Sequence, residues 1–276
     1  MISGKTKVLA VLGAPVTHSL SPIMHNSWLA EAGIDAVYVA LPFSEAGFAA
    51  LPSVGLFGAN ITVPFKESAA AISVRRDEIA TRLGAANVLR FDADGPSAFN
   101  TDAPGFVASL DEGAPGWRAR VHTALVLGAG GAARAIAWGL ADAGAARIVI
   151  ANRTPARAEA TAAAAPGAET WPWDDLAGAF AQADLIVNAT SLGLAGAASP
   201  DWPIHAAPAH AIVADAVYKP LETPLIAAAR ARGLATVDGL GMLIHQGARA
   251  FEIWFGVRPD VRGARLRLER ALVGEA

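Results

Sequence analysis

The stretch that most constrains the fold is Gly128-Ala129-Gly130-Gly131-Ala132-Ala133, which follows the apolar run Thr123 to Leu127 and opens an Ala-rich segment ending at Ala143. Hydrophobic periodicity changes at the glycines from that of a buried strand to that of a helix. Read as G-x-G-x-x-G/A, the key positions are Gly128, Gly130 and Ala133. The first permits a tight turn, the second lets backbone approach a pyrophosphate, and the third lets helix pack closely on strand. At the helix start, Gly131 and Ala132 offer N–H groups with no intrahelical acceptor, at the positive end of the helix dipole. In a chain with 27 glycines, a glycine-rich turn could be mere punctuation. Its place between a strand and a helix argues instead for a dinucleotide site.

The following strand, Arg147 to Ala151, selects the dinucleotide. NAD sites place a carboxylate near this strand end to hold the ribose hydroxyls. Here the chain reads Asn152-Arg153-Thr154, with Arg157 one turn on, and no acid until Glu159. Two guanidinium groups and a hydroxyl suit a 2′-phosphate dianion. Cations at a helix start are unfavourable without an anion to balance them. NADP is therefore the expected cofactor, held by Gly128, Gly130, Gly131, Ala132, Asn152, Arg153, Thr154 and Arg157.

Bulk composition removes other classes. Hydrophobic residues make up 53% of the 276 and charged residues 17%, enough apolar material for well-filled cores. A net charge of −3 provides no basic field for nucleic acid or acidic lipid. There are no cysteines, so disulfides and thiolate metal sites are excluded. The N-terminal residues lack the apolar core of a signal peptide, and Arg134, Asp142 and Arg147 interrupt the richest apolar tract, so no membrane span is expected. The expectation is a cytoplasmic protein acting on a small molecule, with neither nucleic acid nor membrane as partner. Monomer and homodimer stay open. His18, His25 and His245 lack metal-ligand spacing and read as structural; no metal is expected.

Along the chain, strands are expected at Lys7 to Leu12, Ala36 to Leu41, Ala59 to Val63 and Ala86 to Phe91. A turn at Asp92 to Gly95 leads into Ser97 to Asn100. Ser21-Pro22 reads as a helix start with Ser21 as N-cap, and Arg75 to Leu83 as a helix. A helix follows Pro104-Gly105, and Asp111 to Gly116, rich in Gly, Pro and acid, resembles a domain junction. The second block continues as strand and helix from Thr123, with further strands at Leu185 to Asn188 and Ala211 to Ala214. Helices close the chain at Pro224 to Arg232, Leu240 to Phe255 and Val261 to Leu272. The fold class is α/β in two domains separated by a cleft: an N-terminal α/β substrate domain, 1–103, and a Rossmann-type NADP domain, 104–239. The helices of 240–276 are expected to pack back on the first.

Three polar clusters sit where strands end: His18-Ser19-Leu20-Ser21-Pro22 with His25-Asn26, Asn60-Ile61-Thr62-Val63-Pro64-Phe65-Lys66, and Asn100-Thr101-Asp102. Open α/β sheets bind ligands at such ends. On these residues the chain resembles the shikimate dehydrogenase family. The Asn60 to Lys66 run matches the family's Asn-x-Thr-x-Pro-Phe-Lys signature. Asn188-Ala189-Thr190-Ser191 and Gly239-Leu240-Gly241-Met242-Leu243 with Gln246 follow in family order.

The resemblance implies NADP-linked interconversion of 3-dehydroshikimate and shikimate in aromatic amino-acid biosynthesis. Lys66 and Asp102 take the catalytic positions. Ser19, Ser21 and Tyr218 receive the substrate carboxylate, and Thr62, Asn87, Asp102 and Gln246 the ring oxygens. Thr190, Gly239 and Met242 join the cofactor set. The chemistry is coherent: ketone reduction needs a proton at the developing alkoxide, which an ammonium supplies while stabilising charge. A nearby carboxylate keeps that ammonium charged. Ala103-Pro104 and Val88 stand where the family has Gly and Thr, which spares the polar residues. Two alternatives remain: a dual quinate/shikimate dehydrogenase, and a non-catalytic dinucleotide-binding regulator.

Overall fold

The computed structural model describes residues 2–274. They form two compact units, one holding the described residues up to Thr101 and those from Gln246 onward, the other Asp102–His245. No helix among the described residues is long and apolar enough to cross a membrane.

The first unit contains strands β1 (Lys7–Gly13), β2 (Ala36–Pro42), β3 (Gly58–Ile61), β4 (Arg75–Arg76), β5 (Val88–Asp92) and β6 (Gly95–Phe99). They form one sheet in the order β2-β1-β3-β5-β6-β4. Strands β1, β2 and β3 run parallel, with Leu9 opposite Gly58 and Leu12 opposite Ile61; β5 joins antiparallel, with Asn60 opposite Val88. Buried Leu12, Phe48, Leu51, Ile61, Phe65 and Leu89 form the core on one side. Burial of this apolar surface is what holds the layer together. Gly58 is dictated by packing: a Cβ there would collide with the Trp254 indole, whose Nε1 donates to the Leu89 carbonyl at 2.9 Å.

Helices α1 (Ser21–Glu31), α2 (Lys66–Ala71) and α3 (Glu78–Leu83) connect these strands. Two sequence expectations need correction. Ser21 is not the N-cap of α1. Leu20 holds that place with a helical backbone (φ −83°, ψ −6°), so Ser21 is the first helical residue. The expected helix over Arg75 to Leu83 is a short strand followed by a shorter helix. Arg75–Arg76 pairs with Ser97 and Ala98, and the helix starts after Asp77, whose carboxylate accepts the Ala80 N–H at 2.6 Å. A capping Asp inside the window ends one element and starts the next.

The second unit contains α4 (Asp102–Gly113), α5 (Trp117–Arg120), β7 (Thr123–Leu127), α6 (Gly131–Asp142), β8 (Arg147–Ala151), α7 (Pro155–Ala163), β9 (Ala168–Trp171), α8 (Leu176–Ala181), β10 (Leu185–Asn188), β11 (Ile212–Asp215), α9 (Pro224–Ala231) and β12 (Ala235–Val237). Its sheet is wholly parallel in the order β12-β11-β10-β7-β8-β9. This is the strand order of a doubly wound nucleotide-binding sheet, which reverses direction between β7 and β10. Apolar layers cover both faces, one including Val126, Ile136 and Leu140, the other Leu125, Ile186 and Val213. Both faces being buried explains the unbroken apolar strands.

Asp111 to Gly116 is no junction. It ends α4 inside the second unit and is pinned there by fully buried Trp117, whose Nε1 donates to Asp111 at 2.8 Å. Two helices complete the chain, α10 (Gly239–Phe255) and α11 (Val261–Gly274). Helix α11 is tied to α1, where Trp28 Nε1 donates to the Asp260 carbonyl at 2.9 Å and Arg267 pairs with Glu31.

Candidate active site

In the first unit Ser19, Ser21, Asn87 and Gln246 lie along one polar web. Ser19 and Ser21 flank the start of α1, and the Ser19 hydroxyl accepts the Ser21 N–H at 3.3 Å. Ser21 is buried and hydrogen-bonds the Tyr38 phenol. Tyr38 in turn donates to Asn60 Oδ1 at 2.6 Å, and the Asn60 amide donates to the Asn87 carbonyl at 3.3 Å. Burial raises the Tyr38 phenol well above its ordinary range, so it stays a donor. The Asn26 amide fixes the Tyr38 backbone on both sides, accepting its N–H at 2.9 Å and donating to its carbonyl at 2.8 Å.

Asn87 continues the web. Its Oδ1 accepts the Thr101 N–H at 2.7 Å, and its Nδ2 donates to Thr101 Oγ1 at 2.9 Å and to Gln246 Oε1 at 3.0 Å. Asp77 holds the same exit from β6, accepting the Asn100 N–H at 3.2 Å. Burial raises the Asp77 carboxyl, against the pull of its bonds to Ala80 and Asn100. Two residues beyond Asn100, Asp102 is buried and begins α4.

Thr62 and Lys66 belong to the turn after β3. The Thr62 N–H donates to the Leu12 carbonyl at 2.9 Å, and the Thr62 carbonyl accepts from Phe65 at 3.0 Å. Lys66 is the first residue of α2, and its carbonyl accepts the Ala86 N–H at 2.8 Å. A Cβ at Gly13 would strike Thr62, so the ends of β1 and β3 meet closely. His25 serves as an aromatic wall. It stacks on Tyr38 at 4.3 Å, and burial lowers its pKa to about 3, which keeps it neutral.

In the second unit the glycine turn lies at the reversal of the sheet. Gly128 has φ +112°, and a Cβ on it would approach the Ala189 carbonyl oxygen and Thr190 Cγ2, each at 3.0 Å. Gly130 caps α6 with no side-chain bond and opens onto empty space, with nothing within 4 Å of an added Cβ. This combination of a forced turn, an open backbone face and free helical N–H groups fits a pyrophosphate.

Asn152 Nδ2 donates to the Thr154 carbonyl at 3.0 Å, shaping the turn after β8. Arg153, Thr154 and Arg157 are exposed, and among the described residues neither arginine forms an ion pair. Thr190 bonds twice to Asn188 Oδ1, through its hydroxyl at 2.7 Å and its N–H at 3.0 Å. Tyr218 lies half-buried in the loop after β11, and burial raises its phenol. Gly239 starts α10 against the carbonyls of Ala216 and Val217, where a Cβ has no room. Met242 packs in the apolar layer with Phe106 and Leu110.

The sequence reading missed Tyr38, Asp77 and Asp215. Tyr38 and Asp215 act through tertiary bonds that no local motif encodes, and Asp77 adds to its local cap of Ala80 a tertiary bond to Asn100. The nearest signal is their place at, or just beyond, a strand or beside a helix start.

A doubly wound sheet with this turn, in one chain with an α/β unit carrying hydroxyls, amides and a helix-start lysine, defines a nicotinamide-dinucleotide oxidoreductase for a polar small molecule. Family signatures described as the shikimate dehydrogenase substrate binding domain, shikimate/quinate 5-dehydrogenase and the shikimate 5′-dehydrogenase C-terminal domain match residues 11–89, 116–194 and 239–265. A shikimate dehydrogenase (NADP(+)) of Rhodospirillum rubrum is 46% identical over 100% of both chains. The solved shikimate 5-dehydrogenase of Thermus thermophilus, in complex with NADP(H) and shikimate, is 37% identical with a TM-score of 0.87, covering 96% of this chain and 100% of that one. A quinate dehydrogenase of Corynebacterium glutamicum in complex with NAD is 30% identical with a TM-score of 0.88, over 96% and 99%. The chain belongs to the shikimate dehydrogenase family.

Proposed function

We propose that the protein catalyses the reversible reduction of 3-dehydroshikimate to shikimate with NADP as cofactor. The observation that carries this reading is the web from Ser21 through Tyr38, Asn60 and Asn87 to Gln246, in the same unit as Lys66. It presents hydroxyls and amides suited to a carboxylate and ring hydroxyls. A buried polar group left unpaired is costly, so such a site rejects analogues that lack those oxygens.

Ser19, Ser21 and Tyr218 hold the substrate carboxylate, and Thr62, Asn87, Asp102 and Gln246 hold the ring oxygens. Lys66 and Asp102 form the acid–base pair. Lys66 gives a proton to the oxygen that becomes a hydroxyl, and Asp102 balances the ammonium charge. The nicotinamide, when bound, supplies the hydride. Gly128, Gly130, Gly131 and Ala132 cradle its pyrophosphate, and Asn152, Arg153, Thr154 and Arg157 its 2′-phosphate. Thr190, Gly239 and Met242 flank the nicotinamide half.

The test is the initial rate of NADP reduction with shikimate for wild type and Lys66→Ala, with quinate and NAD as parallel arms. Lys66→Ala should lose kcat by orders of magnitude with folding intact. Near-normal turnover in that variant refutes the role of Lys66. Comparable kcat/KM for quinate would replace the proposed substrate with a dual specificity.

A further inference from the structure

Asp215 ends β11 and is 2% exposed. Its carboxylate binds three partners, one at the end of β10 and two in the loop that follows β11. Oδ1 accepts the Asn188 amide at 2.9 Å and the Val217 N–H at 2.9 Å, and Oδ2 accepts the Thr223 hydroxyl at 2.6 Å. The Asn188 branch reaches Thr190, whose hydroxyl and N–H both bond Asn188 Oδ1, and Thr190 lies against Gly128 in the pyrophosphate turn. The Val217 and Thr223 branches brace both ends of the loop that carries Tyr218. Thr223 also caps α9 through the Ile226 N–H at 3.3 Å. Gly239 then packs on the carbonyls of Ala216 and Val217, so the same loop seats the start of α10.

We propose that Asp215 is a positioning residue that clamps the Thr190 loop and the Tyr218 loop together, coupling cofactor affinity to substrate affinity without touching either ligand. The inference rests on the assignment of Thr190 to NADP and of Tyr218 to shikimate. A carboxylate suits the task because one oxygen takes two donors at once while the other takes a third. Bonds to an ionised acceptor in a buried site are also stronger than neutral ones. Rigid seating of both loops matters because small misplacements near a reacting centre are expensive.

The experiment compares KM for NADP, KM for shikimate, kcat and thermal midpoint in Asp215→Ala, Asp215→Asn and Asn188→Ala, with Thr190→Val and Tyr218→Phe as controls. Asp215→Ala should raise both KM values about tenfold, equivalent to about 1.4 kcal/mol each. Asp215→Asn should stay within about threefold of wild type, since its Oδ1 still accepts two donors and its amide can donate to Thr223. Asn188→Ala cuts one branch only. It also removes both bonds that hold Thr190, so it should raise KM for NADP about tenfold or more and leave that for shikimate within about twofold. This variant decides the matter if Asp215→Ala fails to fold.

A folded Asp215→Ala with both KM values near wild type and a lowered midpoint would make Asp215 merely structural and overturn the clamp. So would a change in one KM alone, or equal effects of Asn188→Ala on both. If Thr190→Val and Tyr218→Phe leave their KM values unmoved, the site assignment fails and the clamp falls with it. Moved controls with an inert Asp215 sink the clamp alone.

Discussion

A methyl group added at Gly128 should damage stability and cofactor binding together, whereas the same change at Gly130 should damage binding alone. Gly128 sits at φ +112°, a region that residues with a Cβ rarely enter. Forcing alanine into it costs about 1–3 kcal/mol. The new Cβ would also lie 3.0 Å from the Ala189 carbonyl oxygen, a backbone atom that cannot rotate away. Thr190 next to it is held by two bonds to Asn188, so the loop resists the displacement. A loss of about 2 kcal/mol in a chain of this size lowers the thermal midpoint by roughly 4–8 °C. The KM for NADP should rise about tenfold or more, the loss of about 1.4 kcal/mol in binding. Gly130 has φ −90° and nothing within 4 Å of an added Cβ, so alanine there is free of strain. Its methyl would instead occupy the space the pyrophosphate needs. Thermal melts and cofactor titrations of Gly128→Ala, Gly130→Ala and wild type separate the two costs. A Gly130→Ala protein that binds NADP normally, or a Gly128→Ala protein as stable as wild type, refutes the steric account of the turn.

Two further outcomes follow from charge. Arg153→Ala should raise KM for NADP by about tenfold to a hundredfold, the worth of a charge-assisted bond to phosphate, while KM for NAD barely moves; parallel kinetics with the two cofactors check it, and an equal rise for both would remove the 2′-phosphate contact. Burial raises the Asp215 carboxyl to about 6, against the pull of its bonds to Thr223, Val217 and Asn188. Since the folded value exceeds the unfolded one, the stability it contributes is present in full below about pH 4 and lost as pH rises through about 6. The loss amounts to about 3 kcal/mol by pH 7. Asp215→Asn lacks this titration, so its stability relative to wild type should improve from pH 4 to pH 7 in urea unfolding; a difference that stays flat argues against a raised pKa.

The parts legible in the sequence were those in which local signals and tertiary packing agree. Strands β7, β8 and β10 have the bounds read from their apolar runs, because each is buried on both faces and ends in turn residues. The first unit resisted where a neighbour overrides local preference. Strand β4 is two exposed arginines, a strand only because β6 offers hydrogen-bond partners. Ser21 reads as a cap by type, yet Leu20 adopts the helical backbone first and frees the Ser21 hydroxyl for Tyr38. Helix α10 is continuous from Gly239 to Phe255, but its residues up to His245 belong to one unit and those from Gln246 to the other. Periodicity registers a helix and says nothing of which core each turn serves. Asp215 was invisible for a related reason: Asn188 meets it only because β10 pairs with β11, and Thr223 only because the loop after β11 folds back on it.

Backbone shape leaves one question that side chains must answer. An NAD-binding quinate dehydrogenase and an NADP-binding shikimate dehydrogenase superpose on this chain about equally well, so the fold does not choose the cofactor. The choice lies in the turn after β8. An acid there would repel a 2′-phosphate and accept ribose hydroxyls. This turn carries Arg153 and Arg157 instead, both exposed and, among the described residues, without ion pairs. Arg157 sits in the first turn of α7, where the helix dipole opposes a cation by some tenths of a kcal/mol, about 0.3–1 at an exposed site. A 2′-phosphate carrying two negative charges removes that penalty and can bond both guanidinium groups. NAD brings no charge to this turn and leaves the penalty in place. On the proposed assignment, the preference for NADP arises from Arg153 together with Arg157, the latter placed where the helix itself disfavours a cation.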